Sequence, residues 1–240
     1  MSLIVHTIVR DGIVVSADTR TTCKDENGHT RYDDSAEKII PFPNYTVVSH
    51  CGDSEVNKSL TVTEFLYKIR KSFGKRTTIS ELPLKILNEY IKQGGKGDTI
   101  FKISGYYECM SASTYTINTT KSTIILSTEP YAYGASYNGI TDVAHSIMNS
   151  GINYRNLSIE DAITLTQLCV DTNIKIFNYH AEQSIGGKCQ TYVIDMLHDA
   201  VGWLQTDRTI IPDKNAPNDA LEQYRASQIE KIRKQILTER

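Results

Sequence analysis

Two antiparallel β-sheets packed face to face, with a pair of helices on each outer side, is the architecture that this 240-residue sequence predicts. Three observations lead there. Strand-like runs arrive in blocks joined by tight turns. Helical runs arrive in two pairs between those blocks. Strands do not alternate singly with helices, as a parallel doubly wound sheet would require. The predicted class is therefore α+β, a four-layer αββα sandwich. A chain of this length buries roughly 70% of its unfolded surface, enough to hold a core without metal or disulfide.

The elements follow in order. Residues 3–9 (LIVHTIV) and 13–17 (IVVSA) are rich in β-branched residues and flank Arg10-Asp11-Gly12. An Asp-Gly turn between such runs predicts a hairpin with positive φ at its centre. A polar stretch from Thr19 to Asp34 reads as a partly strand-like excursion, and a second hairpin joins 38–42 to 45–51 through Pro43-Asn44. From 54 to 73 the period changes, with Val56, Leu60, Phe65, Leu66, Ile69 and Phe73 at helical spacing. A second helix is expected over 80–92, with Ser80 as N-cap and Leu84, Leu87 and Ile91 on one face. Strands are expected at 99–107, 113–119 and 122–128, helices at 138–149 and 158–178 (Ser158 as cap), and a closing hairpin at 189–197 and 201–205. These elements make a domain over 2–205. Residues 206–240 read as a charged extension, in which Leu221, Tyr224, Ile229, Ile232 and Ile236 share one helical face.

Composition excludes several classes. Lysine plus arginine is 26 and aspartate plus glutamate 28, so the net charge is −2 and nucleic acid or an anionic membrane is not an expected partner. No apolar window reaches the length of a membrane span. The opening MSLIVHTIVR lacks a basic region and a cleavage site, so a cytoplasmic location is expected. Five cysteines without a C-x-x-C pair, and six scattered histidines, predict reduced thiols and neither metal nor cofactor.

Weak motifs fall away on spacing. GASYNG (134–139) misses the G-x-S-x-G nucleophile elbow, and QGGKGD (93–98) misses the phosphate-loop spacing and ends a helix. His50 and Cys51 are adjacent on a strand, so they point to opposite faces and cannot act as a pair. The start of the chain carries more. Removal of Met1 before so small a residue leaves Ser2 with both a hydroxyl and a free α-amine. An α-amine titrates at roughly 7.7–8.0 and can take the hydroxyl proton near neutral pH. Hairpin pairing returns Asp18 towards Ser2, Lys38 begins the next strand, and Cys51-Gly52-Asp53 is read as a strand end opening a helix, where a backbone N–H can face an oxyanion.

Together these segments resemble the proteasome β-type family of N-terminal nucleophile (Ntn) hydrolases. The resemblance rests on DGIVVSADTRTT (11–22), EKII (37–40), CGDSE (51–55), YGAS (133–136) and IGGKCQTYVI (185–194), and spans about residues 2–200. It implies Ser2 in the place of the family's nucleophilic threonine, Asp18 and Lys38 as its supporting pair, and Gly52 as its oxyanion donor. It places the family's orienting serine on Ala135, with Ser136 next to it, its acid on Glu182, and a second serine on Ile185, with Ser184 beside it. The candidate site is thus Ser2, Asp18, Lys38, Gly52, Glu182 and Ser136. The implied activity is hydrolysis of a peptide or amide, by a homo-oligomer in a ring or helical assembly that leaves room for a separate unfoldase. A small-molecule amidase fits the same residues. The alternative is a non-catalytic structural or assembly subunit, favoured by Ala135 and Ile185 where the family has hydroxyls.

Overall fold

The chain enters almost at once into β1 (Leu3–Val9), which pairs with β2 (Gly12–Asp18) across the turn Arg10–Asp11. That turn differs from the sequence expectation, because neither Arg10, Asp11 nor Gly12 has positive φ. Glycine is needed at 12 for another reason: a Cβ there would lie 2.1 Å from the Ile194 carbonyl oxygen of a neighbouring strand. A computed structural model describes residues 2–24, 27–73, 78–107, 111–179, 184–206 and 208–212.

Strands β3 (Thr21–Lys24) and β4 (Thr30–Asp33) form a two-stranded arm. Strands β5 (Ile39–Phe42) and β6 (Thr46–Gly52) form the second hairpin, turning through Asn44 and Tyr45 at φ 65° and 52°. A short ribbon of β7 (Glu55–Asn57) and β8 (Leu60–Thr61) precedes α1 (Val62–Lys71). The first helix thus begins at 62 and not at 54. Thr61 and Glu64 close a reciprocal capping box that fixes this start. Helix α2 (Leu82–Lys92) follows without a side-chain cap, and Ser80 bonds Thr78 instead. Its buried face is Leu82, Ile86, Leu87 and Tyr90, leaving Leu84 and Ile91 exposed.

Next come β9 (Thr99–Tyr106), β10 (Ala112–Asn118), β11 (Thr123–Thr128) and β12 (Gly134–Gly139), then α3 (Asp142–Met148) and α4 (Ile159–Phe177). The sequence reading missed β12 and began α3 too early, since residues 134–139 are held as a strand by pairing with β1. Helix α4 starts as expected at Ser158, which forms a capping box with Asp161. Strands β13 (Cys189–Asp195), β14 (Ala200–Leu204) and β15 (Ile210–Pro212) complete the described chain, so the sheet continues to Pro212. The amphipathic stripe of the C-terminal extension lies outside the described residues.

The strands form a six-stranded sheet, ordered β12-β1-β2-β13-β14-β15, and a five-stranded sheet, ordered β11-β10-β9-β6-β5. Helices α1 and α2 cover the five-stranded sheet through Phe65, Leu66, Ile86 and Tyr90 against Phe101 and Ile103. Helices α3 and α4 cover the other through Ala144, Cys169 and Val170 against Leu3 and Val5. Between the sheets lie Ile4, Ile8, Ile13 and Val15 from one, and Ile39, Val47 and Cys51 from the other. The four-layer αββα sandwich is therefore the observed fold. Among the described residues no helix is long and apolar enough to cross a membrane, and no group of three or more metal-ligating side chains converges.

Candidate active site

Strand pairing alone brings the first residues together. In the β1–β2 register Ile4 faces Ala17, so Ser2 at the head of β1 and Asp18 at the foot of β2 share one end of the sandwich. Lys38 reaches the same end from the residue before β5, and Ser2, Asp18 and Lys38 are all buried.

Lys38 Nζ donates to Ser2 Oγ at 2.8 Å, to Asp18 Oδ2 at 2.9 Å and to the Arg20 carbonyl oxygen at 2.5 Å. Three donated bonds match the three N–H groups of an ammonium, so the geometry is built for the charged form. Burial lowers the Lys38 pKa from its ordinary value, and the Asp18 carboxylate opposes that shift. Asp18 is a hub: Oδ1 accepts from the Leu3 N–H at 2.8 Å, and Oδ2 accepts from the N–H groups of Arg20 at 3.2 Å and Gly186 at 3.4 Å. One carboxylate therefore holds the peptide after Ser2, the lysine and the 184–188 loop in fixed relation.

A second layer supports this hub. Arg20 donates through Nε and Nη2 to the two carboxylate oxygens of Asp34, at 2.6 Å and 2.8 Å, and lies over the Tyr32 ring. The hydrogen bond raises the Arg20 pKa and lowers that of Asp34. Gly186 packs on the Arg20 guanidinium, where a Cβ would come within 2.2 Å of Cζ. Sequence reading did not single out Arg20 or Asp34; the signal available was an arginine within the SADTRTT run.

Gly52 ends β6 at φ +99°, and a Cβ there would meet the Asp98 carbonyl oxygen at 2.0 Å. It is exposed at the same end as Ser2. The residues after it form β7 and not a helix, so the expected helix N-terminus is absent, and any oxyanion donor here is a lone strand-end N–H. On the other side of Ser2, its carbonyl oxygen accepts from the Ile140 N–H at 3.0 Å, beside Gly139 at φ +105°.

Ser136 is not brought to this site. It faces His6 in the β1–β12 register, four residues along β1 from Ser2, or about 13 Å at the rise of a strand. Its hydroxyl accepts instead from Lys102 Nζ at 2.5 Å. Ala135 packs on the opposite, helix-covered side. Ile185 is buried in that helix-side core, and the Ser184 hydroxyl is buried with no hydrogen-bond partner among the described residues. Glu182 lies outside the described residues. His50 and Cys51 do point apart: His50 reaches the Glu37 carbonyl and Thr63, while Cys51 lies between the sheets. Burial takes the histidine down to about 4 and the thiol up to about 12, so neither is charged at neutral pH.

Lys102 was also missed, although a lysine inside the strand-like run TIFKISGYY was visible. It is 1% exposed, donates to Thr116 and Ser136 hydroxyls, and makes no carboxylate contact among the described residues. Burial lowers its pKa to about 7. Beside it His6 bridges Ser49 and Ser104 at 2.6 Å and 2.7 Å, making a polar seam between the sheets.

No family model matches the chain, and no curated protein matches it. Solved structures do. An Anbu mutant from Hyphomicrobium sp. strain MC1 superposes with a TM-score of 0.62 at 12% identity, covering 99% of this chain and 97% of that one. The helical assembly of the Anbu complex from Pseudomonas aeruginosa gives 0.62 at 14% identity, covering 99% and 96%. Anbu, an ancestral beta-subunit, from Yersinia bercovieri gives 0.61 at 14%, covering 97% and 91%. These matches correct the resemblance drawn from the sequence: the likeness is to Anbu proteins, proteasome-like but distinct from the proteasome β-type family. At such identities what is shared is the proteasome-like Ntn fold.

Proposed function

We propose that the chain is an N-terminal-nucleophile amide hydrolase, a peptidase or amidase with Ser2 as nucleophile once Met1 has been removed. The observation that carries this reading is the Lys38 ammonium bridging Ser2 Oγ and the buried Asp18, which also holds the Leu3 N–H. Because Lys38 donates to Oγ, it stabilises the alkoxide and is not the base. The free α-amine of Ser2 takes the hydroxyl proton as Oγ attacks the scissile carbonyl carbon. Negative charge moves to the carbonyl oxygen, towards the Gly52 N–H. Collapse breaks the C–N bond, and the α-ammonium returns its proton to the departing amine. Water, deprotonated by the same α-amine, then attacks the Ser2 ester; the C–Oγ bond breaks, the α-ammonium returns the proton to Oγ, and the acid is released. The 2–205 segment, together with β15 of the same sheet, is proposed as this catalytic domain, and the residues that follow as its extension.

The helical assembly of the Pseudomonas aeruginosa Anbu complex supports a homo-oligomer. The test of activity is Ser2→Ala against a library of fluorogenic peptide amides. Loss of hydrolysis by about 10³-fold or more is expected for a nucleophile, and an unchanged rate overturns the mechanism. A second reading, a non-catalytic assembly subunit, is favoured by one observation: Ser136 is engaged by Lys102, and the hydroxyl neighbours expected around Ser2 are replaced by Ala135 and Ile185. On that reading no amide is turned over and Ser2→Ala leaves assembly intact.

A further inference from the structure

The two sheets end on one side of the sandwich in the edge strands β11 and β12, and the polar groups between them are not used by the Ser2 site. Lys102, on β9, crosses from one sheet to the other. Its Nζ lies 2.5 Å from Ser136 Oγ on β12 and 2.9 Å from Thr116 Oγ1 on β10. Thr116 is bonded in turn to Ser127 at 2.7 Å, and Ser127 is exposed. Ser136 is half-buried while Lys102 is fully buried, so the amine stands behind a hydroxyl that solvent reaches. Thr116 and Ser127 give its proton a second way out.

The partners of this amine differ in kind from those of Lys38. A carboxylate and a carbonyl only accept, whereas a hydroxyl can donate into the lone pair of a neutral amine. Among the described residues no carboxylate holds the Lys102 charge, and burial brings its pKa to about 7. His6 of β1 and Cys51 of β6 are the titratable groups close enough to interact with it; burial holds the histidine well below its usual range and takes the thiol up to about 12, so both are neutral. A neutral amine that accepts from a serine hydroxyl can act as its base near neutral pH, the logic of a Ser–Lys pair.

The backbone adds a donor. Ile140 N–H bonds the Ser2 carbonyl, so hydrogen-bonded pairs recur along β1–β12 at every second residue, and His6–Ser136 is one of them. The Tyr137 N–H therefore points away from β1 at an open sheet edge, with no hydrogen-bond partner among the described residues. It belongs to the peptide that follows Ser136. Ile125 lies opposite Thr116 in the β10–β11 register, on the same face as the lysine, and is 57% exposed. It offers an apolar wall beside the hydroxyl.

We propose that Ser136 and Lys102 form a second acyl-transfer centre, with Ser136 as nucleophile, Lys102 as base and an ester of an apolar carboxylic acid as substrate. Ser136 Oγ attacks the ester carbonyl carbon as Lys102 takes its proton, and the carbonyl oxygen gains charge towards the Tyr137 N–H. The bond to the leaving alcohol breaks and Lys102 returns the proton to that alcohol. Water, deprotonated by Lys102, attacks the acyl-serine; the C–Oγ bond breaks, Oγ recovers the proton, and the acid departs. This reaction is separate from amide hydrolysis at Ser2.

The test is turnover of p-nitrophenyl butyrate by the full chain in a Ser2→Ala background, which silences the first site. Turnover is expected, with kcat/KM rising with pH through about 7 to a plateau, since the base acts when neutral. Adding Ser136→Ala is expected to cost about 10³-fold, and adding Lys102→Met about 10²-fold or more. Far-UV circular dichroism should stay native in both, so the losses report chemistry and not unfolding. A fluorophosphonate should phosphonylate Ser136 in the background protein, with loss of fluoride, and leave it unlabelled in Lys102→Met. Absence of turnover, a rate unchanged by Ser136→Ala or Lys102→Met, or a label on a residue other than Ser136 overturns the second centre. None of these outcomes bears on Ser2, whose own test is amide hydrolysis.

Discussion

Lys38 and Lys102 are both buried, yet the fold treats them in opposite ways. Lys38 has a carboxylate, a carbonyl and a hydroxyl around its ammonium, one acceptor for each proton. Lys102 has two hydroxyls and, among the described residues, no acid, and its amine falls to about 7. Burial disfavours the charge of each; the partners decide how far that is opposed. The first lysine is held charged beside Ser2, while the second is half neutralised in a seam between sheets. A buried lysine is thus not a functional signal by itself; its acceptor set is.

The largest effect should come from breaking the first arrangement. Asp18→Ala leaves the Lys38 ammonium buried and unpaired and frees the Leu3 N–H, at a cost of about 3–5 kcal/mol in denaturant unfolding, with hydrolysis lost as well. The same chemistry at the other site should have the opposite sign. Lys102→Met removes a charge that has no counter-charge among the described residues and should stabilise the chain by about 1–4 kcal/mol. Loss of stability in that variant would mean that the hydroxyl contacts outweigh the burial penalty.

The pH dependence sharpens the contrast. The folded-state pKa of Lys102 is depressed to about 7 from its ordinary 10.5. Between those values the unfolded chain binds more protons than the folded one, so stability rises with pH there. The advantage of Lys102→Met should therefore grow as pH falls from about 10 to 7 and level off below, as read from paired urea titrations. The smallest effect is expected from Ser136→Ala, about 0.5–1.5 kcal/mol for one hydrogen bond. Hydrolysis should be unchanged, since Ser136 lies a strand's length from Ser2. A large fall in rate would return Ser136 to the site.

The alternation and turn chemistry of the sequence were enough for the sandwich, because hairpin blocks and helix pairs leave few ways to bury four faces. Register carried the central triad too: once β1 pairs with β2, Ser2 and Asp18 must meet. What remained hidden depended on long-range contacts. β12 reads as a glycine-bounded turn until β1 pairs with it, and that pairing sends Ser136 inwards to Lys102. The helix start at 62 was hidden because the 54–61 ribbon mimics helical spacing. Arg20 and Asp34 meet only when the β3–β4 arm folds back, a contact that no local pattern encodes.

The central claim is that Ser2 carries a free amine and a reactive hydroxyl. The most direct test is mass spectrometry of the N-terminal peptide from untagged protein, before and after exposure to an acylating β-lactone. The account predicts a peptide that begins at Ser2 and gains the acyl mass on that residue, with no gain in Lys38→Ala. A folded protein that retains Met1 and shows no adduct on Ser2 would contradict it.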